Sequence, residues 1–153
     1  MLIAIGCDHA GYTVKTNVIG FLQSLEHRVI DCGCFSSQSC DYPDYALPVA
    51  EYVSKKKCDR GILICGTGIG MSIVANKVPG IRATVCWSVE TAKLTREHND
   101  ANILCLSARF LSLDNVFQII KIWLDTPFSN EPRHINRLNK LNEIDEKYRK
   151  RRC

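Results

Sequence analysis

The run GILIC at residues 61–65 passes without a break into GTGIG at 66–70. A strand so uniformly apolar must be covered on both faces, and helices packed on the two sides of a parallel sheet provide that cover. The glycines at its exit mark a tight turn from strand into helix. The rest of the chain repeats this scheme. LIAIGC (2–7) reads as a buried strand, and 11–26 as a helix with Val14, Val18, Phe21, Leu22 and Leu25 on one face. HRVIDCG (27–33) is a second strand, followed by the polar loop 34–43 and a helix over 44–57. Strand 61–65 is expected at the centre, with a helix carrying Ile73, Val74 and Ala75 after it. Strands at 81–87 and 102–107 alternate with helices at Val89–Glu97 and Leu111–Leu124. Five strands, each followed by a helix, predict an α/β fold: a doubly wound, five-stranded parallel sheet with helices on both faces. A further helix over 134–150 carries Ile135, Leu138, Leu141 and Ile144. No repeat or linker interrupts the chain, so 1–153 is expected to be one domain, with 130–153 as its C-terminal helix and basic tail.

Charge and cysteines narrow the function. The net charge of +4 lies entirely in residues 131–153, where eight basic side chains stand against four acidic ones. The pI of about 8.6 is thus a property of the tail, and a basic nucleic-acid-binding face is not expected. The run Lys147–Arg152 reads as a solvated tail. No apolar run reaches the roughly 18–20 residues of a membrane span. The start, MLIAIGCDHAG, lacks the basic region and apolar length of a signal peptide, so a cytoplasmic setting is expected. The nine cysteines are odd in number. Cys7, Cys65, Cys86 and Cys105 sit in or at the ends of apolar runs, where a thiol behaves as a small hydrophobe. There is no C-x-x-C, and Cys32 and Cys34 lack a matching pair of ligands, so reduced thiols and no metal are expected.

In parallel sheets ligands bind beyond the carboxyl ends of the strands. That rule selects Cys7, Asp8 and His9 after the first strand, Cys65, Gly66 and Thr67 after the third, and Trp87 and Ser88 after the fourth, the first two sets being the richer in reactive groups. Gly66, Gly68 and Gly70 permit close backbone approach and leave amides free for an anion. The segment is not a dinucleotide fingerprint, a Walker loop or a phosphatase loop, because Met71 occupies the position where two of those need Gly or Arg and no G-K-[ST] follows. What remains is a cysteine at the mouth of an amide nest beside a helix N-terminus, a setting that favours thiolate. A tight turn around an inert cysteine is the simpler alternative. Asp8 could equally be a helix cap with a surface His9 beside it, and His98-Asn99-Asp100 a polar helix end. Arg133 and Arg137 share a helical face, flanking His134, and two guanidiniums so close suit a phosphate between them; Arg109 could join them. A solvated basic face is the competing reading. As a set, these residues supply a thiol base, an imidazole acid, an anion hole and an arginine clamp. Such a set suits moving a proton between adjacent carbons of a sugar phosphate through an enediolate.

The motifs GCDHAG (6–11), DYPDYA (41–46), CGTGIGMSIVANK (65–77), GIRA (80–83), REHND (96–100) and RHINRL (133–138) resemble, in order, those of the type B ribose-5-phosphate isomerases. That group lies within a wider one including galactose-6-phosphate isomerase subunits, and the residues beyond about 145 are outside the resemblance. The resemblance implies a Rossmann-like fold and a homodimer, or a tetramer, with active sites at the subunit interface, acting on a phosphorylated pentose without cofactor. It implies that Cys65 is the base moving the proton between C1 and C2, and that His98 protonates the ring oxygen as the furanose opens. Asp8 and Asn99 would hold sugar hydroxyls. The amides of Gly66, Thr67, Gly68, Ile69 and Gly70, with the Thr67 side chain, would stabilise the enediolate. His9, Arg109, Arg133 and Arg137 would contact the phosphate, and Tyr42 would line the sugar pocket. Some members use a glutamate as base instead of this cysteine. The competing functions are isomerisation of allose or galactose 6-phosphate, a non-catalytic sugar-phosphate or nucleotide-binding module, and a redox sensor, which the cysteine spacing does not favour.

Overall fold

The computed structural model describes residues 1–149; the end of the basic run, Lys150–Arg152, lies outside the described residues. Strands β1 (Leu2–Cys7), β2 (Arg28–Asp31), β3 (Arg60–Cys65), β4 (Ala83–Val85) and β5 (Ile103–Ser107) form one sheet in the order β2-β1-β3-β5-β4. Every pairing is parallel, and β3 is central as its composition requires. The connecting helices are α1 (Tyr12–Ser24), α2 (Pro43–Ser54), α3 (Ile69–Ala75), α4 (Val89–Asn99) and α5 (Leu113–Asp125), followed by α6 (Pro132–Arg149).

Side-chain alternation divides the core into two layers. Ile3, Ile5, Ile62, Ile64, Leu104 and Leu106 face α1, α4 and α5, where Val18, Leu22, Ala92, Val116, Ile119, Ile120 and Trp123 cover them. Ala4, Leu63, Cys65, Ile103 and Cys105 face the other way, onto Val49 and Val53 of α2 and Met71 and Ala75 of α3. A shift of one residue in register would exchange these sets, so the pattern also fixes the pairing.

The structure trims several predicted elements. The first helix begins with a 3-10 turn at His9–Gly11, which Asp8 caps by accepting from the Ala10 and Gly11 amides at 2.9 and 3.1 Å. α2 stops at Ser54 and not at 57, because Lys56 takes a positive φ of 54° and reverses the chain. β4 is three residues long, an edge strand paired on one side only. α4 runs on to Asn99 and is closed by Asp100 in the left-handed region.

Lys15 is a buried charge outside the apolar pattern. Only 2% exposed, it donates to both oxygens of Asp31 at 2.6 and 2.8 Å. The same carboxylate accepts from the Gly33 amide at 2.9 Å, tying α1 to the loop that follows β2.

Candidate active site

The carboxyl ends of β1 and β3 lie side by side, with Cys7 opposite Ile64. From β1 the next strand packs to one side and from β3 to the other, which opens a crevice between their exits. Asp8, His9, Ala10, Tyr42, Cys65, Gly66, Thr67, Gly70 and Arg109 line a cleft of about 210 Å³ there.

Each wall of the cleft has a structural cause. Asp8 is buried and its Oδ1 is consumed by capping, so only Oδ2 remains for a ligand. His9 is held from the facing loop, with Nδ1 3.3 Å from both the amide and the carbonyl oxygen of Cys40. Cys65 ends β3 on the α2/α3 face, 5% exposed, and its sulfur accepts from the Gly68 amide at 3.1 Å. An amide donor on sulfur suits a thiolate better than a thiol. Gly68 adopts φ +79°, which turns that amide back toward the sulfur. The Ile69 amide is likewise engaged, donating to Thr67 Oγ1 at 3.2 Å, which leaves the Thr67 hydroxyl proton free to be donated. The anion nest expected from the glycines is therefore smaller than five open amides. Ile69 itself is about half exposed and does not line the cleft.

Two further walls come from packing that the sequence does not announce. Ser107 at the end of β5 donates to the Gly66 carbonyl at 2.8 Å, and Arg109 donates its amide to the same carbonyl at 3.3 Å. The Arg109 side chain then crosses the loop, so close that a Cβ on Gly66 would stand 3.3 Å from its guanidinium carbon. Tyr42, just before α2, lays its ring where a Cβ on Gly70 would come within 2.8 Å of it.

The remaining expected site residues are not brought to this cleft within one chain. β5 runs from Ile103 to Ser107, with Ser107 level with Cys65. His98 and Asn99 end α4 just before β5 begins, one strand length of roughly 13 Å away at about 3.3 Å per residue. Asn99 instead borders a second pocket with Arg82, Leu141 and Ile144. Arg133 and Arg137 are exposed on α6, and Arg133 pairs with Glu131 at 2.8 Å. The clamp of Arg109 with Arg133 and Arg137 is thus split between two ends of the sheet. His98 stacks on His134, ring centroids 4.3 Å apart.

The motif REHND explains itself at this second end. Buried Arg96 donates to Asp100 Oδ1 at 2.7 Å and to the Ala101 carbonyl at 2.6 Å, while Arg82 donates to Asp100 Oδ2 at 2.8 Å. Arg82 also donates to the Asn99 carbonyl at 3.0 Å. Arg96 and Asp100 are scaffold, holding the helix end that presents His98 and Asn99. Among the described residues no group of three or more His, Cys, Asp or Glu could hold a metal ion. A larger groove of about 290 Å³ on α2 collects no comparable chemistry, and its Lys55 is spent on Glu51 at 2.7 Å.

The chain is similar to known proteins over most of its length. The model of the family described as Ribose/Galactose Isomerase matches residues 3–141. The chain belongs to that family. It is 42% identical to ribose-5-phosphate isomerase B of Escherichia coli over 145 residues, 95% of this chain and 97% of that one. The solved structure of Clostridium thermocellum ribose-5-phosphate isomerase B is similar at 51% identity and TM-score 0.94, covering 97% of this chain and 99% of the other. The Mycoplasma genitalium ribose-5-phosphate isomerase B, solved with bound ribulose-5-phosphate, is similar at 39% identity and TM-score 0.91, covering 95% and 96%. The isomerase-family match spans both ends of the sheet, the cleft at Cys65 and the helix end at His98, and stops before the basic tail. No helix among the described residues is long and apolar enough to cross a membrane.

Proposed function

We propose that this chain is an aldose-ketose isomerase that interconverts D-ribose 5-phosphate and D-ribulose 5-phosphate, a step of non-oxidative pentose phosphate metabolism. The observation that carries the reading is the meeting of Cys65, Asp8, Thr67 and Arg109 in one cleft, with an amide donor already on the sulfur. The names of the relatives at 42% and 51% identity agree with it.

In this reading the substrate enters as the furanose, and His98 gives a proton to the ring oxygen as the C1–O bond breaks. The anomeric hydroxyl releases its proton to water, from which the imidazole is restored. The free Oδ2 of Asp8 and the Asn99 amide hold sugar hydroxyls. The Cys65 thiolate takes the C2 proton of the open aldose, and the electron pair moves through C1–C2 onto O1. The hydroxyl proton passes from O2 to O1 beside Thr67, and Cys65 returns its proton to C1, giving the ketose with the thiolate restored. Amides of the 66–70 loop and the Thr67 hydroxyl face the oxygen where charge develops. One such donor contributes typically about 10²–10³-fold and a placed base about 10²–10⁴-fold. His9, Arg109, Arg133 and Arg137 hold the phosphate, Tyr42 lines the sugar pocket, and no cofactor is needed.

Because His98, Asn99, Arg133 and Arg137 lie a strand length from Cys65, the reading requires a second copy to complete each site. A homodimer with two-fold symmetry supplies it. The exposed apolar side chains Ile135, Leu141 and Ile144 on α6 and Ile69 and Ile73 on α3 support such an interface. A cytoplasmic enzyme of one domain, 1–153, with reduced thiols is the matching setting.

The test is mixing. Cys65→Ala and His98→Asn are each expected to be nearly inactive on ribose 5-phosphate. Refolded together in equal amounts they regain about a quarter of wild-type activity, because half the dimers carry one intact site. No recovery from a confirmed mixed dimer would place both residues in one subunit's site. Turnover of hexose 6-phosphates with none of ribose 5-phosphate would reassign the substrate.

A further inference from the structure

One imidazole that the proposed reaction leaves unused lies against the one it needs. His134, in the first turn of α6, is 1% exposed, and its ring lies 4.3 Å from that of His98 at an interplanar angle of 37°. Its Nδ1 is 2.7 Å from Ser129 Oγ. Ser129 is itself tied to the end of α4, donating its amide to the Glu97 carbonyl at 3.2 Å. The chain therefore runs from α4 through Ser129 and His134 back onto the face of His98.

Resting on the isomerase reading above, we propose that His134 is the positioning residue for His98. It acts as a neutral, buried ring that fixes the plane of the catalytic imidazole while being kept out of proton transfer itself. The contacts of Ser129 can accommodate the neutral ring. Ser129 Oγ accepts from the Glu131 amide at 3.3 Å and keeps its own proton for His134 Nδ1, an arrangement that suits a neutral ring protonated at Nε2. Two imidazolium rings at 4.3 Å would repel, which disfavours a positive charge on both. The surroundings of His134 disfavour charge on its ring. Burial most of all, then His98, Arg133 and Arg137, push His134 below the usual histidine range, against the opposing pull of Glu131. His98 is less buried and makes no side-chain hydrogen bond among the described residues, so the stacked His134 ring is the contact that orients it.

The test measures ribose 5-phosphate turnover by the full-length protein carrying His134→Gln, alone and with His98→Asn. The kcat of the single variant is expected to fall about tenfold or more with KM changed by less than about twofold, the pattern of a misplaced catalytic group. In the His98→Asn background the same substitution should cost nothing further. Ser129→Ala, at an exposed position, serves if His134→Gln fails to fold, with a loss of about threefold in the same direction. Equal losses in both backgrounds, or a change in KM alone, would overturn the proposal. If wild-type protein does not turn over ribose 5-phosphate, the isomerase reading fails and the NMR signal of the His98 ring decides the positioning claim by itself. That signal should move in Ser129→Ala, and an unchanged His98 signal would overturn the claim.

Discussion

The Gly68 amide donates to the Cys65 sulfur at 3.1 Å. That bond joins the last residue of the central strand to the left-handed turn after it, and so fixes the one polarisable nucleophile in the cleft. If the sulfur is the base, its removal leaves binding intact and stops chemistry. Cys65→Ala is expected to lower kcat by at least about 10²–10⁴-fold, with the affinity for a pentitol 5-phosphate, measured by calorimetry, within about threefold of wild type. Near-normal turnover would refute the assignment.

Gly70 offers a second probe, because its lack of a side chain is what lets Tyr42 close the cleft. A Cβ there would stand 2.8 Å from the phenol ring, and the ring, 38% exposed, has room to swing outward. Gly70→Ala is therefore expected to keep the fold, with stability changed by less than about 1 kcal/mol, while KM for the sugar phosphate rises several-fold. A matching rise in KM for Tyr42→Ala, and no further rise in the double variant, would locate the effect in the ring.

Much of this was legible in the chain itself. Alternation within LIAIGC and GILIC specifies both core layers, and β3 falls at the centre because it is apolar on both faces. The cleft residues Asp8, Cys65 and Thr67 follow from one rule about strand ends. What stayed hidden depends on contacts distant in sequence. The spacing of Arg96 and Asp100 looks like a helix-surface ion pair, yet the fold buries the arginine and recruits Arg82 to the same carboxylate. His134 reads as a bystander between two arginines until α6 folds back onto α4. The direction of β5 separates His98 from Cys65, and no local pattern encodes that distance.

Lys15 and Asp31 form the least expected pair, and their contributions should be unequal. Lys15 is almost fully buried, whereas Asp31 is 31% exposed and also holds the Gly33 amide. Asp31→Ala strands a buried ammonium and should cost about 3–5 kcal/mol. Lys15→Met removes the charge and keeps the packing, leaving a carboxylate that water can reach, and should cost clearly less. Urea denaturation of both variants checks the order. Asp31→Ala should also raise KM, because the loop it anchors carries Cys40, which holds His9, and Tyr42.

The thiols predict how stability responds to alkali. Burial, reinforced by the neighbouring Cys34 and opposed by Lys15, pushes the Cys7 thiol up from 9.0 to about 12. Burial likewise raises Cys32 to about 11. A group whose pKa is higher in the folded state binds its proton more tightly there. Its contribution is complete below the unfolded value near 9 and is lost as pH climbs toward the folded value. Unfolding free energy should hold steady to about pH 8.5 and then fall, each such thiol adding up to about 1.4 kcal/mol per pH unit to the slope. Cys7→Ala is expected to be less stable at neutral pH because it opens a gap beside Cys34, whose sulfur lies 3.9 Å away. Its stability should nevertheless decline less steeply between pH 9 and 11 than that of the wild type. Parallel slopes in urea titrations across that range would show that Cys7 is not among the groups that couple folding to pH.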